Sequence, residues 1–145
     1  MALVPHSGMK NVPKERMPHH RERADKFFRT MKLIQDDKDY AEAVPLLAVH
    51  SAISLADAIL VGLSGKRGSD TNHRDTIEAL RQLCTSKKRS CDGLQHLSWL
   101  LANKTELVYG DKRLDPDTQV KMAGFRAERF ATWAYKTFPE IARTG

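Results

Sequence analysis

The sequence predicts an all-α protein, an up-and-down bundle of about five helices. Residues 44 to 63 form a twenty-residue stretch with only four polar side chains, as expected for a helix at the centre of a bundle. In four further segments the apolar residues recur at intervals of three and four, which is the period of one helix face. No segment alternates apolar and polar residues for long enough to predict a strand, and the connections are short.

Length and composition limit the domain organisation. The 145 residues suffice for one domain with a sizeable core, and we divide them into a disordered basic N-terminal arm, residues 1 to 20, and a helical bundle, residues 21 to 142. The arm lacks the apolar core of a secretory signal, so we expect a cytoplasmic protein. Cys84 and Cys91 have no partners at metal-ligand spacing, and we expect neither a metal nor a cofactor. The net charge of +6 favours a polyanionic partner.

The first helix is predicted to follow the arm and to end near Asp37. One of its faces is apolar, at Ala24, Phe27, Phe28, Met31 and Ile34. The opposite face is basic, at Arg21, Arg23, Lys26, Arg29 and Lys32. Two interpretations of the basic face stay open: a solvated surface, or a strip that contacts a phosphate backbone together with the arm.

The central helix is expected to begin between Tyr40 and Ala43, because Asp39 can cap it and Pro45 would interrupt a helix that began earlier. It is expected to end by Gly65. Its length would allow it to cross a membrane. Ionisable side chains inside the stretch make such a span costly, however, so we expect no membrane association.

Three polar residues of the central helix recur at i, i+4 and i+7: His50, Ser54 and Asp57. This spacing places them on one line along an otherwise apolar helix. Buried polar side chains need hydrogen-bond partners. The line therefore predicts either a satisfied network that sets helix register or the wall of an internal site.

A candidate phosphate-binding site lies at the start of the third helix, which one of residues 70 to 72 is expected to cap. Lys66 and Arg67 precede the cap, and His73 and Arg74 follow it. The first turn of a helix offers free backbone N–H donors to an anion, and these residues add positive charge. The alternative is a solvated polar loop.

Two more helices complete the predicted bundle. The fourth runs from about Asp92 to Tyr109, and the fifth begins at Asp115, which caps it ahead of a proline. Lys104 lies on or beside the inward line of the fourth helix, so it must extend to solvent or pair with an acid such as Asp57. Alanines along the apolar stripe of the fifth helix indicate close packing.

Four segments, AVPLLAVHSAISLADAILVGLSGKR, DTNHRDTIEALRQL, LLANKTELVYGD and AGFRAERFATWA, together resemble the HEPN superfamily of small helical domains associated with nucleotides and RNA. The resemblance covers roughly residues 22 to 140. It implies a HEPN-like bundle and a homodimer. In members that cleave RNA, an arginine and a histidine separated by four to six residues meet those of a second chain, and attack by the RNA 2′-hydroxyl needs no metal.

The chain departs from that motif at both positions. Lys104 stands where the arginine is expected, and Tyr109 ends the motif with no histidine after His96. Lysine keeps the charge but loses the bidentate geometry, and tyrosine, with an unperturbed pKa of about 10, moves protons poorly at neutral pH. Lys104 and Tyr109 are therefore the candidate catalytic pair of a protein that is not expected to be an efficient enzyme.

Two other pairs match the bare spacing: Arg67 with His73, and Arg89 with His96. Chance accounts for such matches in a chain this rich in arginine. The first pair is the better candidate, because it lies at a helix start that can bind phosphate. The resemblance also places Asp57 opposite the helix of Lys104 and Tyr109.

Three functions are consistent with these residues. The leading expectation is a HEPN-like protein that binds RNA or a nucleotide without robust catalysis, as part of a toxin–antitoxin or defence system. The second is a metal-independent endoribonuclease with a rearranged site that uses Lys104 and Tyr109 or recruits His73. The third is a protein-interaction module paired with a nucleotidyltransferase that modifies Tyr109.

Overall fold

A computed structural model of the chain describes residues 9–68 and 73–142, which form a helical bundle. The helices are α1 (Met17–Ile34), α2 (Val44–Ser64), α3 (His73–Ser86), α4 (Leu94–Ala102), α5 (Lys104–Tyr109) and α6 (Lys121–Thr137). Two short antiparallel strands accompany them, β1 (Met9–Asn11) and β2 (Lys66–Gly68), with Lys10 opposite Arg67. The predicted all-α bundle is confirmed, with six helices in the described residues rather than about five.

The central element is α2, which is buried along most of its length and contacts α1, α3, α4, α5 and α6. The segment Ala41–Ser64 is long and apolar enough to cross a membrane, yet 67% of its apolar window is buried inside the bundle. This burial is typical of the core helix of a soluble protein, with which the structure is compatible.

The ends of α2 follow the local chemistry of its sequence. A single 3₁₀ turn, Ala41–Ala43, leads into the helix at Val44, so Pro45 lies in the first turn, where its missing N–H breaks no helical hydrogen bond. The later of the two predicted starts is therefore correct, and the predicted cap at Asp39 is wrong, since Ala43 precedes the helix and no side chain caps it. At the other end Gly65 adopts a left-handed conformation, φ 68°, and its N–H donates to the carbonyl of Val61 at 3.0 Å.

The described part of the predicted disordered arm, residues 9–20, is structured. The N–H of Val12 donates to the carbonyl of Gly65 at 2.8 Å, beside the strand pair, and α1 begins at Met17 rather than Arg21. The side chain of Met17 packs against Gly62, which has no side chain to prevent this approach. Strand pairing over a long sequence separation leaves no periodic pattern, so the sequence alone did not indicate it. Residues 1 to 8 lie outside the described residues.

The predicted fourth helix is divided into α4 and α5 at Asn103. The backbone N–H of Asn103 donates to the carbonyl of Trp99 at 3.1 Å, and its side-chain Nδ2 donates to the same oxygen at 2.8 Å. A side chain that bonds locally competes with the regular helical ladder, which explains the break.

The predicted start of the last helix is confirmed. A carboxylate oxygen of Asp115 accepts hydrogen bonds from the N–H groups of Asp117 at 2.9 Å and Thr118 at 3.4 Å. A turn of π-helix, Pro116–Val120, precedes α6. The apolar stripe of α6 is buried against α2 and α4 and includes Ala123, Ala127, Phe130 and Ala134.

Candidate phosphate-binding site

A cleft of about 320 Å³ lies beside the N-terminal segment, the first half of α1 and β2. We call it the basic cleft. Its lining residues are cationic, imidazole or uncharged and, within the described part of the chain, include no carboxylate: Asn11, Val12, Pro13, Arg16, His19, His20, Arg23 and Arg67. An anion that enters the basic cleft would therefore meet positive charge from several directions.

The elements around the basic cleft determine which side chains reach it. Arg16 precedes α1, and His19, His20 and Arg23 follow at helical spacing, so these four residues lie on one side of the helix. The strand β2 brings Arg67 to the same cleft. The cleft thus combines residues that are more than forty positions apart in the chain.

Arg67 is held by a buried carboxylate. Its Nη1 lies 3.7 Å from Oδ2 of Asp57, whose side chain is almost completely buried in α2. At this separation the contact is electrostatic rather than a short hydrogen bond, and it holds the guanidinium at the edge of the basic cleft. This contact places Asp57 beside β2, and its expected pairing with Lys104 or Tyr109 stays a prediction.

Lys104 meets His73 instead. Its Nζ lies 3.0 Å from Nε2 of His73, which joins the first turn of α5 to the first turn of α3. An ammonium group can only donate, so Nε2 of His73 is the acceptor in this contact. Two residues that the sequence singled out for separate reasons thus form one contact.

Tyr109 does not share a site with Lys104. The tyrosine is 68% exposed and lies at the end of α5, five residues after the lysine. At 100° per residue this spacing turns the two side chains well away from each other on the helix. The predicted catalytic pair is not assembled within one chain.

A common positive environment extends from the basic cleft to Lys104. Burial lowers the pKa of His20, and the nearby charges of Arg67 and Arg23 lower it further. Burial also lowers the pKa of His50, and here Lys104 and Arg23 add to the effect. Arg23 therefore acts on both imidazoles, although His50 and Lys104 lie outside the lining of the basic cleft. Both histidines are mainly neutral at pH 7 while the cleft is empty.

The described contacts of the predicted polar line on α2 are with different neighbours. The ring of His50 packs beside that of Phe27, with 5.8 Å between the ring centres, while Asp57 turns toward Arg67. Ser54 is buried, and the neighbouring Ser51, which lies off the line, donates to the carbonyl of Ala24 at 3.2 Å. The polar residues of α2 therefore serve separate contacts with α1 and β2.

The other predicted phosphate contacts are less well placed. Lys66 and Arg74 are exposed and lie outside the lining of the basic cleft. The predicted caps of α3, residues 70 to 72, fall outside the described residues. The spacing match of Arg89 with His96 forms no site, because Arg89 binds Glu140 and His96 contacts Arg126.

The sequence placed Arg23 on a basic face that could contact a phosphate backbone together with the arm, but it did not single out Arg16, His19 and His20 as members of this site. Their signal was present, since a basic face on the first helix was recognised, but Arg16 and the two histidines fell within the predicted arm. Among the described residues, no group of three or more His, Cys, Asp or Glu side chains is arranged to hold a metal ion. The chemistry that these residues offer is the binding of anions.

Comparison with known proteins adds no family assignment. No protein-family model matches the chain, and no curated protein matches it. The fold and the site define a class, an α-helical bundle with a cationic cleft beside its central helix. The chemistry of the basic cleft is therefore the best guide to the function of this protein.

Proposed function

We propose that the protein binds RNA or a nucleotide through phosphate groups in the basic cleft, without robust catalysis. The single observation that carries this proposal is the convergence of Arg16, Arg23 and Arg67 on a cleft whose described lining has no carboxylate. Guanidinium groups bind phosphate oxygens through paired, charge-assisted hydrogen bonds. The HEPN resemblance supports the same ligand class, and with it a cytoplasmic homodimer in a toxin–antitoxin or defence system.

The size of the site is consistent with this ligand. A volume of about 320 Å³ lies at the lower end of the range of small-ligand sites, which suits one nucleotide. An arriving phosphate would also raise the pKa of His20, which lines the cleft, so that binding draws a proton into the cleft and adds positive charge.

A direct test measures the affinity of the protein for fluorescein-labelled single-stranded RNA and, in a separate titration, for labelled ATP, across a salt series. The double variant Arg16→Ala/Arg23→Ala removes two cleft cations. The control Lys112→Ala/Lys136→Ala removes two exposed cations outside the cleft. We expect the cleft variant to lose affinity about 10-fold or more, because each charge-assisted contact contributes about 1.5 to 3 kcal/mol. The control should retain most of its affinity.

Equal losses in the two variants would attribute binding to net charge rather than to the basic cleft. No binding of either ligand at low salt would overturn the proposal. RNA affinity that falls steeply with salt, with weak ATP binding, would identify a polymeric ligand, because each neutralised phosphate releases counterions. Tight binding of ATP with weak binding of RNA would identify a free nucleotide.

The contact between Lys104 and His73 favours a second candidate, the metal-independent ribonuclease. In this reaction Lys104 would turn from Nε2 of His73 to the phosphoryl oxygens, and the freed Nε2 would take the proton of a ribose 2′-hydroxyl. The 2′-oxygen would attack phosphorus to form a 2′,3′-cyclic phosphate, and the 5′-oxygen would leave with a proton from water. Lys104 would stabilise the negative charge that develops on the phosphoryl oxygens. Incubation of labelled RNA in EDTA tests this. Cleavage that is lost in Lys104→Ala and His73→Asn but kept in Tyr109→Phe would establish the enzyme, and intact RNA would reject it.

A further inference from the structure

A group of arginine and apolar side chains lies on α4 and α6, away from the lining of the basic cleft. We call it the arginine patch, and it consists of Trp99, Met122, Phe125, Arg126 and Arg129. The guanidinium carbon of Arg126 lies 5.7 Å from the centre of the Trp99 ring, and that of Arg129 lies 5.1 Å from the centre of Phe125. Phe125 is 42% exposed. Stacking of this kind holds a guanidinium in a fixed plane and leaves its N–H edge for an outside acceptor.

The arginine patch lacks a counter-charge within the part of the chain that the structure describes. Nη1 of Arg126 lies 3.2 Å from Nδ1 of His96, and its buried Nε has no hydrogen-bond partner among the described residues. Burial, followed by the charges of Arg126 and Arg129, lowers the pKa of His96, so this ring is mainly neutral at pH 7. Glu128, the acid nearest in sequence, binds Lys32 instead. The patch is therefore suited to a partner that carries carboxylates.

A groove of about 450 Å³ adjoins the arginine patch. It lies between Trp99 on α4 and the segment from Asp117 to Met122, and Phe125 forms part of its wall. The exposed ring of Phe125 and the side chain of Met122, which is 38% exposed, make much of this surface apolar. The groove is large enough to receive an aromatic side chain from a partner.

The same chain carries a complementary segment between α1 and α2. We call residues 36 to 40, with sequence DDKDY, the acidic loop. Tyr40 is 61% exposed, and Leu33, in the last turn of α1, is 83% exposed. Oδ1 of Asp37 accepts a hydrogen bond from the backbone N–H of Asp39 at 2.9 Å, and within the described residues neither acid forms an ion pair. The acidic loop thus combines an exposed aromatic ring with exposed carboxylates, the charge that the arginine patch lacks.

The two surfaces lie at the same end of the bundle. The turn Ala41–Ala43, which directly follows the acidic loop, contacts the π-helical turn Pro116–Val120. Residues 117 to 119 of that turn line the groove beside the arginine patch. Neighbouring surfaces of opposite chemistry on one molecule allow two copies to make the same contact twice about a two-fold axis.

We propose that two copies of the chain form a two-fold dimer in which the acidic loop of each copy docks on the arginine patch of the other. Asp36 and Asp39 pair with Arg126 and Arg129, and Tyr40 enters the groove. The aromatic, methionine and arginine content of the two surfaces matches that of protein interfaces. This inference gives the homodimer expected from the HEPN resemblance a specific surface, and it does not depend on what the basic cleft binds.

Charge reversal with complementation tests the dimer. The patch variant Arg126→Glu/Arg129→Glu and the loop variant Asp36→Lys/Asp39→Lys are each examined by sedimentation equilibrium at about 100 μM, a concentration at which a Kd of about 1 μM gives mostly dimer. Wild type should be a dimer, and each variant alone should be at least 10-fold weaker. An equimolar mixture of the two variants should restore the dimer, because both reciprocal contacts again join opposite charges. The control Lys87→Glu/Lys136→Glu should remain a dimer.

Recovery in the mixture also excludes misfolding as the cause of dissociation, since an unfolded variant would not recover. A monomeric wild type, a mixture that stays monomeric, or a dimer that resists both reversals would overturn the proposal. If wild type is monomeric but binds a peptide of sequence DDKDY, the arginine patch would bind an acidic segment of a different protein rather than a second copy of this chain. The patch variant leaves the residues of the basic cleft unchanged. Measuring its affinity for RNA therefore tests binding in the basic cleft separately from dimer formation.

Discussion

Arg89 and Glu140 form a two-point ion pair, in which Nη1 of the arginine donates to Oε1 at 2.9 Å and Nη2 donates to Oε2 at 2.8 Å. Nη1 also donates to the carbonyl of Thr137 at 3.1 Å, and the guanidinium lies over the ring of Phe138. The hydrogen bonds from Arg89 lower the pKa of Glu140. This contact joins the connection between α3 and α4 to the C-terminal turn.

Replacement of Arg89 should therefore weaken the fold rather than any ligand site. We expect Arg89→Ala to lower the free energy of unfolding by about 1 to 2 kcal/mol, a modest value because the pair is partly exposed. Arg89→Lys should recover only part of the loss, since lysine cannot bind both oxygens in one plane. Urea denaturation measures both. The exposed pair of Arg81 with Glu78 supplies the control, and an equal loss in Arg81→Ala would contradict this account.

Acidification should destabilise the protein through His20 and His50. Burial first, and neighbouring cations second, lower both folded-state pKa values below 6.5. The unfolded chain then binds more protons than the folded chain, so the free energy of unfolding decreases as the pH falls through about 6.5 toward the folded pKa values. Urea titrations across this range should show the decrease. In the double variant His20→Asn/His50→Asn the free energy of unfolding should depend less steeply on pH. An unchanged slope would show that other groups cause the pH dependence.

Binding of phosphate in the basic cleft should oppose the loss of stability that acid causes. An anion in the basic cleft raises the pKa of the nearby imidazoles, so its affinity should increase as the pH falls from 7.5 toward 6, by a factor that grows with each proton taken up. Isothermal titration with ATP in buffers of different ionisation enthalpy measures the protons directly. We expect net proton uptake by wild type and less uptake by His20→Asn. Binding with no proton uptake would show that the ligand lies away from this histidine.

Replacement by alanine at two glycines should change the stability of the protein in opposite directions. A Cβ on Gly93 would lie 2.2 Å from ring carbons of Trp133, so Gly93→Ala should destabilise the protein by about 1 to 3 kcal/mol through overpacking. A Cβ on Gly124, inside α6, would lie 3.5 Å from Cγ1 of Val44, an ordinary contact. Gly124→Ala should therefore stabilise the helix by about 0.5 to 1 kcal/mol. Thermal melting compares them, and shifts of the same sign would contradict the packing at one of the two sites.

The two thiols should differ in reactivity. Burial, together with the neighbouring Cys91, raises the pKa of the Cys84 thiol to about 12, and its side chain is fully buried. At neutral pH maleimide should label the half-buried Cys91 in the native protein, whereas Cys84 should react only after denaturation. Mass spectrometry of the single variants Cys84→Ala and Cys91→Ala assigns each adduct. Rapid labelling of native Cys91→Ala would show that Cys84 is accessible.

Local sequence chemistry predicted much of the fold. The cap at Asp115, the start of α2 after its 3₁₀ turn and the end at Gly65 depend on neighbours within a few residues, and all three are confirmed. The break at Asn103 was missed, because its side-chain bond to Trp99 competes with a helix that the apolar period supports on both sides. When a side-chain hydrogen bond and a helical apolar period compete at one position with similar strength, the sequence alone does not show which of them the folded chain follows.

The candidate site was only partly predictable. Arg67, His73 and Lys104 were identified from the sequence, but their partners were not, since Asp57 binds Arg67 and His73 contacts Lys104. Those pairings depend on where β2 and α5 lie against α2. Arg16 and the adjacent histidines were assigned to an arm because a three-residue strand pair carries too few residues to produce a recognisable pattern.

The sequence by itself determined the all-α class, the buried central helix and the excess of positive charge, because helical periodicity and composition are properties of nearby residues. Only the tertiary structure decided that Arg16, Arg23 and Arg67 share one cleft and that the acidic loop lies beside the groove of the arginine patch. The physical reason is that both arrangements join residues far apart in the chain. Packing of α1 and β2 around α2 brings them together, and no local pattern encodes that distance.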